Sequence, residues 1–178
     1  GESLGVSHHT VRSYSDLLKQ TFVLRVLRPY ESNLKKRLIK SPKIYIRDTG
    51  LLHALLDIES HNELLGHPVY GASWEGFVIE NILSLLPNWN AFFYRAASGS
   101  ELDLVLEKGK RRIAVECKVS TSPSLNRGFW NAVEDLALRE VWIIAPVRES
   151  YPGGKGVTDA PLEAFIDHIS NLYRPHTL

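Results

Sequence analysis

Cysteine is nearly absent from this 178-residue chain, with Cys117 the only one present. A single cysteine excludes an intramolecular disulfide framework and a cysteine-based zinc finger, and it points to a reducing, cytoplasmic setting. The sequence also lacks any run of about eighteen apolar residues, so no transmembrane helix is expected, and no basic-then-apolar leader opens it. Charge of one sign is missing too. With 21 Lys and Arg against 20 Asp and Glu, the formal net charge is +1, so a nucleic-acid or acidic partner must be argued from local patches rather than from bulk charge. The seven histidines show no zinc-ligand spacing, and no zinc is expected. The chain starts without Met and apparently inside a motif, as expected of a fragment of a longer protein. What is present is 44% apolar residues, enough for one sizeable core with an appendage.

The most informative stretch is Glu101 to Val119, ELDLVLEKGKRRIAVECKV. Apolar and polar residues alternate on both sides of Lys108-Gly109-Lys110, which predicts a hairpin of two strands. In strict alternation Leu102, Leu104 and Leu106 share one face, and Glu101, Asp103 and Val105 the other. Asp103, Glu116 and Lys118 then converge. Upstream, Ala72 to Leu86 projects as a helix with Trp74, Val78, Ile82, Leu85 and Leu86 on a broad apolar face and Glu75 near its middle. A carboxylate on a buried face must be paired, hydrogen-bonded or bound to a cation. Glu80 projects to the polar side as a solvated charge.

Around these, Ser7 is the expected N-cap of a helix carrying Val11, Tyr14, Leu17 and Leu18, with His8, His9 and Arg12 pointing outward. The following strand, Phe22 to Leu27, and a second, Lys43 to Arg47, read as the wing of a partial winged helix over residues 1–58. Between the two strands lies the densest basic run, with Lys35, Lys36, Arg37, Lys40 and Lys43, suited to phosphate contacts or to a solvated surface. Asp48 or Thr49 caps a short helix. Residues 59–70 read as a linker, and 71–178 as an α/β domain in the order helix, three strands, helix, strand. Val141 to Ala145 reads as a strand buried on both faces, Tyr151 to Asp159 as a loop, and Pro161 to Tyr173 as a closing helix. Cys117 falls on an apolar strand face, and the four tryptophans fall at core positions.

That order, with Gly71-x-x-x-Glu75, Asp103 and Glu116-x-Lys118, resembles the PD-(D/E)XK nuclease superfamily, although Leu102 stands where the motif has proline. KSPKIYIRDTGLLHALL, GASWEGFVIENIL, FYRAASGSELDLVLE and AVECKVS further resemble the C-terminal domain of unknown function of prokaryotic AAA+ ATPases, which a winged helix precedes. The resemblance implies a restriction-endonuclease-like core and a Mg2+ or Mn2+ site with Asp103 and Glu116 as ligands. Glu75 would reach the ion directly or through water, and Lys118 would orient the attacking water or stabilise developing charge. It implies DNA as partner, with Lys35, Lys36, Arg37, Lys40 and Arg95 as contacts, and an ATPase domain in the full-length chain. ATP would bind only there, since no Gly-x-x-x-x-Gly-Lys-Ser/Thr loop occurs here. The alternative is a catalytically inactive regulatory or targeting domain acting through protein contacts. Oligomeric state is left open.

Overall fold

A computed structural model describes residues 5–31 and 37–173. The elements run α1 (His8–Gln20), β1 (Leu24–Pro29), β2 (Lys43–Ile46), α2 (Thr49–Leu55), α3 (His61–Gly66) and α4 (Tyr70–Leu85). They continue as β3 (Asn90–Arg95), β4 (Glu101–Lys108), β5 (Arg111–Cys117), α5 (Arg127–Asp135), β6 (Val141–Ile144), β7 (Tyr151–Gly154), β8 (Val157–Ala160) and α6 (Leu162–Tyr173). This is a mixed α/β fold in which one eight-stranded sheet has the order β2-β1-β3-β4-β5-β6-β8-β7. From α4 to β6 the order is helix, three strands, helix, strand.

Local chemistry explains most boundaries. Ser7 accepts the Thr10 N–H at the start of α1, Asp48 the Leu51 N–H at α2, and Asn126 the Phe129 N–H at α5. Gly109, at φ +60°, turns β4 into β5 in two residues. Strand β6 is buried along its length and pairs in parallel with β5 on one side and β8 on the other. That is why it reads as a continuous apolar run.

The sheet separates two apolar layers. On one side Val78, Ile79 and Ile82 of α4 and Phe165 and Ile169 of α6 pack with Leu104, Leu106, Ile113 and Val115. On the other, Phe129, Ala132 and Val133 of α5 pack with Tyr94, Leu102, Val105 and Ala114. Leu102 and Leu104 thus lie in different layers, which corrects the strict alternation expected for β4. The cause is a bulge. Phe92 pairs with Val105 and Tyr94 with Leu102, so two steps on β3 face three on β4. The extra residue resets the phase just beside Asp103.

Several further expectations are revised. Residues 151–159 are not a loop but the β7–β8 hairpin, turned through Gly154, Lys155 and Gly156, all at positive φ. A Pro- and Gly-rich strand escapes the usual propensity rules because β7 is the outer strand of the sheet. The stretch 59–70 contains α3, capped by Ser60. Tyr14, Leu17 and Leu18, the helically spaced apolar residues of α1, are exposed where the helix meets β1. Leu85 is exposed at the end of α4, whereas Ile79 is buried. Strands β1 and β2 pair antiparallel as a wing would, but β1 also pairs in parallel with β3, so the N-terminal segment continues the main sheet.

A close approach supplies a test of this packing. A Cβ on Gly128 would lie 2.3 Å from the Gly99 carbonyl oxygen, whereas one on Gly71 in α4 meets nothing within 4 Å. Gly128→Ala is expected to lower unfolding free energy by about 1–3 kcal/mol through overpacking. Gly71→Ala is expected to be neutral or to stabilise by up to about 1 kcal/mol through helix propensity. Urea titration of both variants checks the contrast.

Candidate carboxylate site

Four acids and three bases meet where β4, β5, α4 and the β2 edge come together. Glu75 leaves α4 toward the sheet, where Oε1 accepts Lys43 Nζ at 2.7 Å and the Tyr45 hydroxyl at 2.6 Å. Lys43 Nζ also donates to Asp103 Oδ1 at 2.9 Å and lies 3.2 Å from Glu101 Oε1. The second Asp103 oxygen accepts the Cys117 N–H at 3.0 Å. Glu116 Oε1 pairs with Lys118 Nζ at 2.7 Å, and its Oε2 accepts the Asp103 N–H at 3.3 Å. Arg95 closes the group on Glu101.

Every acid and base expected in the site is therefore present, in two halves joined by Asp103. One half is Glu75 with Lys43 and Tyr45, and the other is Glu116 with Lys118. Asp103 and Glu116 are among the few buried charged residues, and burial without pairing would be prohibitive. The bulge in β4 aims the Asp103 side chain at α4 while its own N–H meets Glu116. Sequence reasoning missed Lys43, Tyr45 and Glu101. Lys43 reads as a member of the basic surface run, yet its side chain is only 14% exposed. Its signal lay in strand phase, since Lys43 and Tyr45 are two residues apart and so share a face.

The electrostatics follow from this geometry. Burial raises the Glu75 carboxyl above its ordinary range, as does the nearby Asp103 charge, against the opposing pull of Lys43. Burial and Asp103 likewise push Glu116 up to about 7. Burial works against the Lys43 charge, but the carboxylates of Asp103 and Glu75 outweigh it and raise its pKa. Burial also raises the Cys117 thiol, consistent with its packing against the apolar layer below α4 and against a nucleophilic role.

A divalent cation does not fit this arrangement. Hard Mg2+ requires free carboxylate lone pairs at about 2.0–2.1 Å in near-octahedral geometry. Here the Lys43 ammonium lies between Glu75 and Asp103, the second Asp103 oxygen holds a backbone amide, and both Glu116 oxygens are engaged. Among the described residues no group of three or more His, Cys, Asp or Glu is placed to hold a metal ion.

Apart from Arg95, the remaining expected residues lie elsewhere. Glu80 is not solvated; it receives Arg25 at 2.8 and 2.9 Å and Arg47 at 2.6 Å, tying α4 to the β1–β2 hairpin. Arg95, expected as a nucleic-acid contact, lies in the site itself and is committed to Glu101. Arg37 and Lys40 are exposed. Together with Arg12, Lys19 and Arg28 they line a groove of about 1700 Å³ that Asp16, Glu31 and Glu107 also border. Lys35, Lys36 and the His8 side chain lie outside the described residues; His9 is exposed. No helix among the described residues is long and apolar enough to cross a membrane.

Comparison with known proteins places the chain in a family. Residues 70–165, which hold the four site residues expected from sequence, match the domain of unknown function DUF4143, and the chain belongs to that family. Residues 1–62, which hold Lys43 and Tyr45, match a second domain of unknown function, DUF8612. The chain is 40% identical over 164 residues to Uncharacterized protein Rv2008c of Mycobacterium tuberculosis and, equally, to Uncharacterized protein Mb2031c of Mycobacterium bovis. Each alignment covers 92% of this chain and 37% of the relative, so the chain spans little more than a third of the curated relatives it matches. No solved structure matches it.

The raised Glu116 carboxyl predicts a pH dependence. Its folded value of about 7 exceeds the ordinary 4.5, so the folded state binds the extra proton between those values. The stability gained from that proton is fully present below about 4.5 and is lost as pH rises through about 7. Glu116→Gln, which mimics the protonated form, is expected to gain on the order of 1–3 kcal/mol relative to the native chain between pH 5 and pH 8. Urea unfolding at both pH values reads the difference; equal slopes would remove the carboxyl as its source.

Proposed function

We propose that the chain is a nuclease-like domain that engages nucleic acid within a longer protein and does not hydrolyse it in the conformation described. The observation that carries this reading is the Lys43 ammonium in the carboxylate site, at 2.7 Å from Glu75 and 2.9 Å from Asp103. Phosphodiester hydrolysis of the PD-(D/E)XK kind needs carboxylates free to hold a cation that polarises phosphate and activates water. Here those carboxylates already hold an internal one. The run of elements from α4 to β6 and the meeting of Glu75, Asp103, Glu116 and Lys118 support the nuclease-like descent. The groove carrying Arg12, Lys19, Arg28, Arg37 and Lys40 supports a polyanionic partner, because clustered exposed cations bind phosphate backbones through counterion release. The greater length of the relatives supports a longer parent chain, for which the resemblance suggests an AAA+ ATPase in the cytoplasm.

A second reading is Mg2+-dependent hydrolysis. It is favoured by the same four residues lying at one end of β4 and β5, the arrangement such chemistry would use once Lys43 had withdrawn.

Fluorescence anisotropy with labelled duplex DNA at several salt concentrations, together with a supercoiled-plasmid assay in Mg2+ or Mn2+, separates the readings. The expected outcome is salt-sensitive binding without cleavage. Arg37→Ala with Lys40→Ala should reduce the log-log salt slope by about one for each phosphate that is no longer neutralised. Metal-dependent nicking abolished by Asp103→Ala would establish the second reading, and absence of salt-sensitive binding would redirect the function to protein contacts.

A further inference from the structure

We infer that Lys43 is the resident counter-ion of the carboxylate site, and that seating of the β2 strand and uptake of a divalent metal ion there are mutually exclusive. The inference deepens the silent-conformation reading above and rests on it.

The seat is built for a cation. Lys43 Nζ is held by Glu75, Asp103 and Glu101 and lies 5.7 Å from the centroid of the Phe93 ring, a second and independent attraction for positive charge. Tyr45, on the same face of β2, spends its hydroxyl proton on the Glu75 oxygen that Lys43 also uses. Its ring fits so closely over α4 that a Cβ on Gly76 would stand 3.3 Å from Tyr45 Cδ1. Lys43 and Tyr45 thus enter the site together. A dication bridging Glu75 Oε1 and Asp103 Oδ1 would need the oxygens these two residues occupy, and anywhere in the site it would be repelled by the ammonium at contact distance.

The strand that carries them lies at an edge of the sheet. It is one of the two outer strands, four residues long, and among the described residues it pairs with β1 alone. β1 in turn pairs with β3 over Arg28 and Pro29, extended by the Tyr30 N–H on the Phe93 carbonyl and by the bridge between Leu38 and Ala96. Apart from its contacts with the site, the hairpin is pinned to α4 chiefly by Arg25 and Arg47 on Glu80. A ligand or neighbouring domain that draws the hairpin aside would remove the internal cation and leave Glu75 and Asp103 uncompensated, while Arg95 would still pair with Glu101. The residues in contact belong to different family regions, Lys43 and Tyr45 to residues 1–62 and the acids to residues 70–165. The ion cluster is therefore a joint between those regions.

The test is Mn2+ titration of the whole chain, followed by electron paramagnetic resonance of the free ion, with far-UV circular dichroism as a control on folding. Lys43→Met keeps the aliphatic stem and removes the charge. It is expected to bind one Mn2+ at least about tenfold more tightly than the native chain, a change of about 1.4 kcal/mol. Adding Asp103→Asn should abolish the gain, and Lys43→Arg should behave as the native chain does. Should Lys43→Met fail to fold, Lys43→Gln makes the same comparison. Native binding as tight as that of the charge-free variant would overturn the inference, as would the absence of any gain in that variant. Plasmid cleavage by the native chain would overturn the functional reading above while leaving the Mn2+ comparison to decide this one.

Discussion

The structure depends on an ammonium group placed among carboxylates. Glu75, Asp103 and Glu101 come from α4 and β4, elements whose apolar faces are packed in the core, so their positions are set by burial that has nothing to do with charge. Like charges brought together by packing in a low-dielectric setting would oppose the fold unless a cation intervened. Lys43 supplies it from the sheet edge, and the sheet order follows: β1 must lie beside β3 for β2 to deliver its lysine to the α4 side. Lys118 does the same for Glu116 from just beyond β5.

The bulge in β4 is the device that makes this possible. Without the extra residue, Asp103 and Leu104 would leave the strand on opposite faces. With it, Leu104 packs below α4 while the Asp103 carboxylate reaches Lys43 beside Glu75 and caps the Cys117 amide. Bulges re-aim side chains at functional positions in many sheets, and here one joins two half-sites that would otherwise be separate ion pairs. The site thus combines a cluster of acids with an internal counter-ion, so that composition alone would overstate its readiness for metal chemistry.

The second electrostatic tie has a different character. Arg25 and Arg47 both reach Glu80 near the outer surface of α4, where solvent screens part of the interaction. Burial opposes the Glu80 charge, yet the hydrogen bonds from Arg25 and Arg47 dominate and hold its pKa below the ordinary value. Together the Glu75 and Glu80 contacts fasten one helix to one hairpin at two points about a turn and a half apart. These ties add to the burial of Leu27 and the packing of Tyr45 in holding the strand pair against the core.

By itself the sequence determined the elements whose causes are local. Helix caps at Ser7 and Asp48, the Gly109 turn, the two-sided burial of β6 and the order from α4 to β6 were legible because side-chain period and capping chemistry act within a few residues. It also marked Glu75, since a charge at an apolar-phase position demands a partner, and Asp103, Glu116 and Lys118, since the hairpin phase lets them converge. Only the tertiary structure decided who the partners are. Lys43 reads as one lysine in a basic run, Glu80 as a solvated helix charge and residues 151–159 as a loop. Their roles arise from contacts across 32, 33 and 55 positions in the chain and from a place at the sheet edge. Electrostatic pairing between distant segments leaves no periodic trace in sequence, and a bulge changes strand phase with no change in composition.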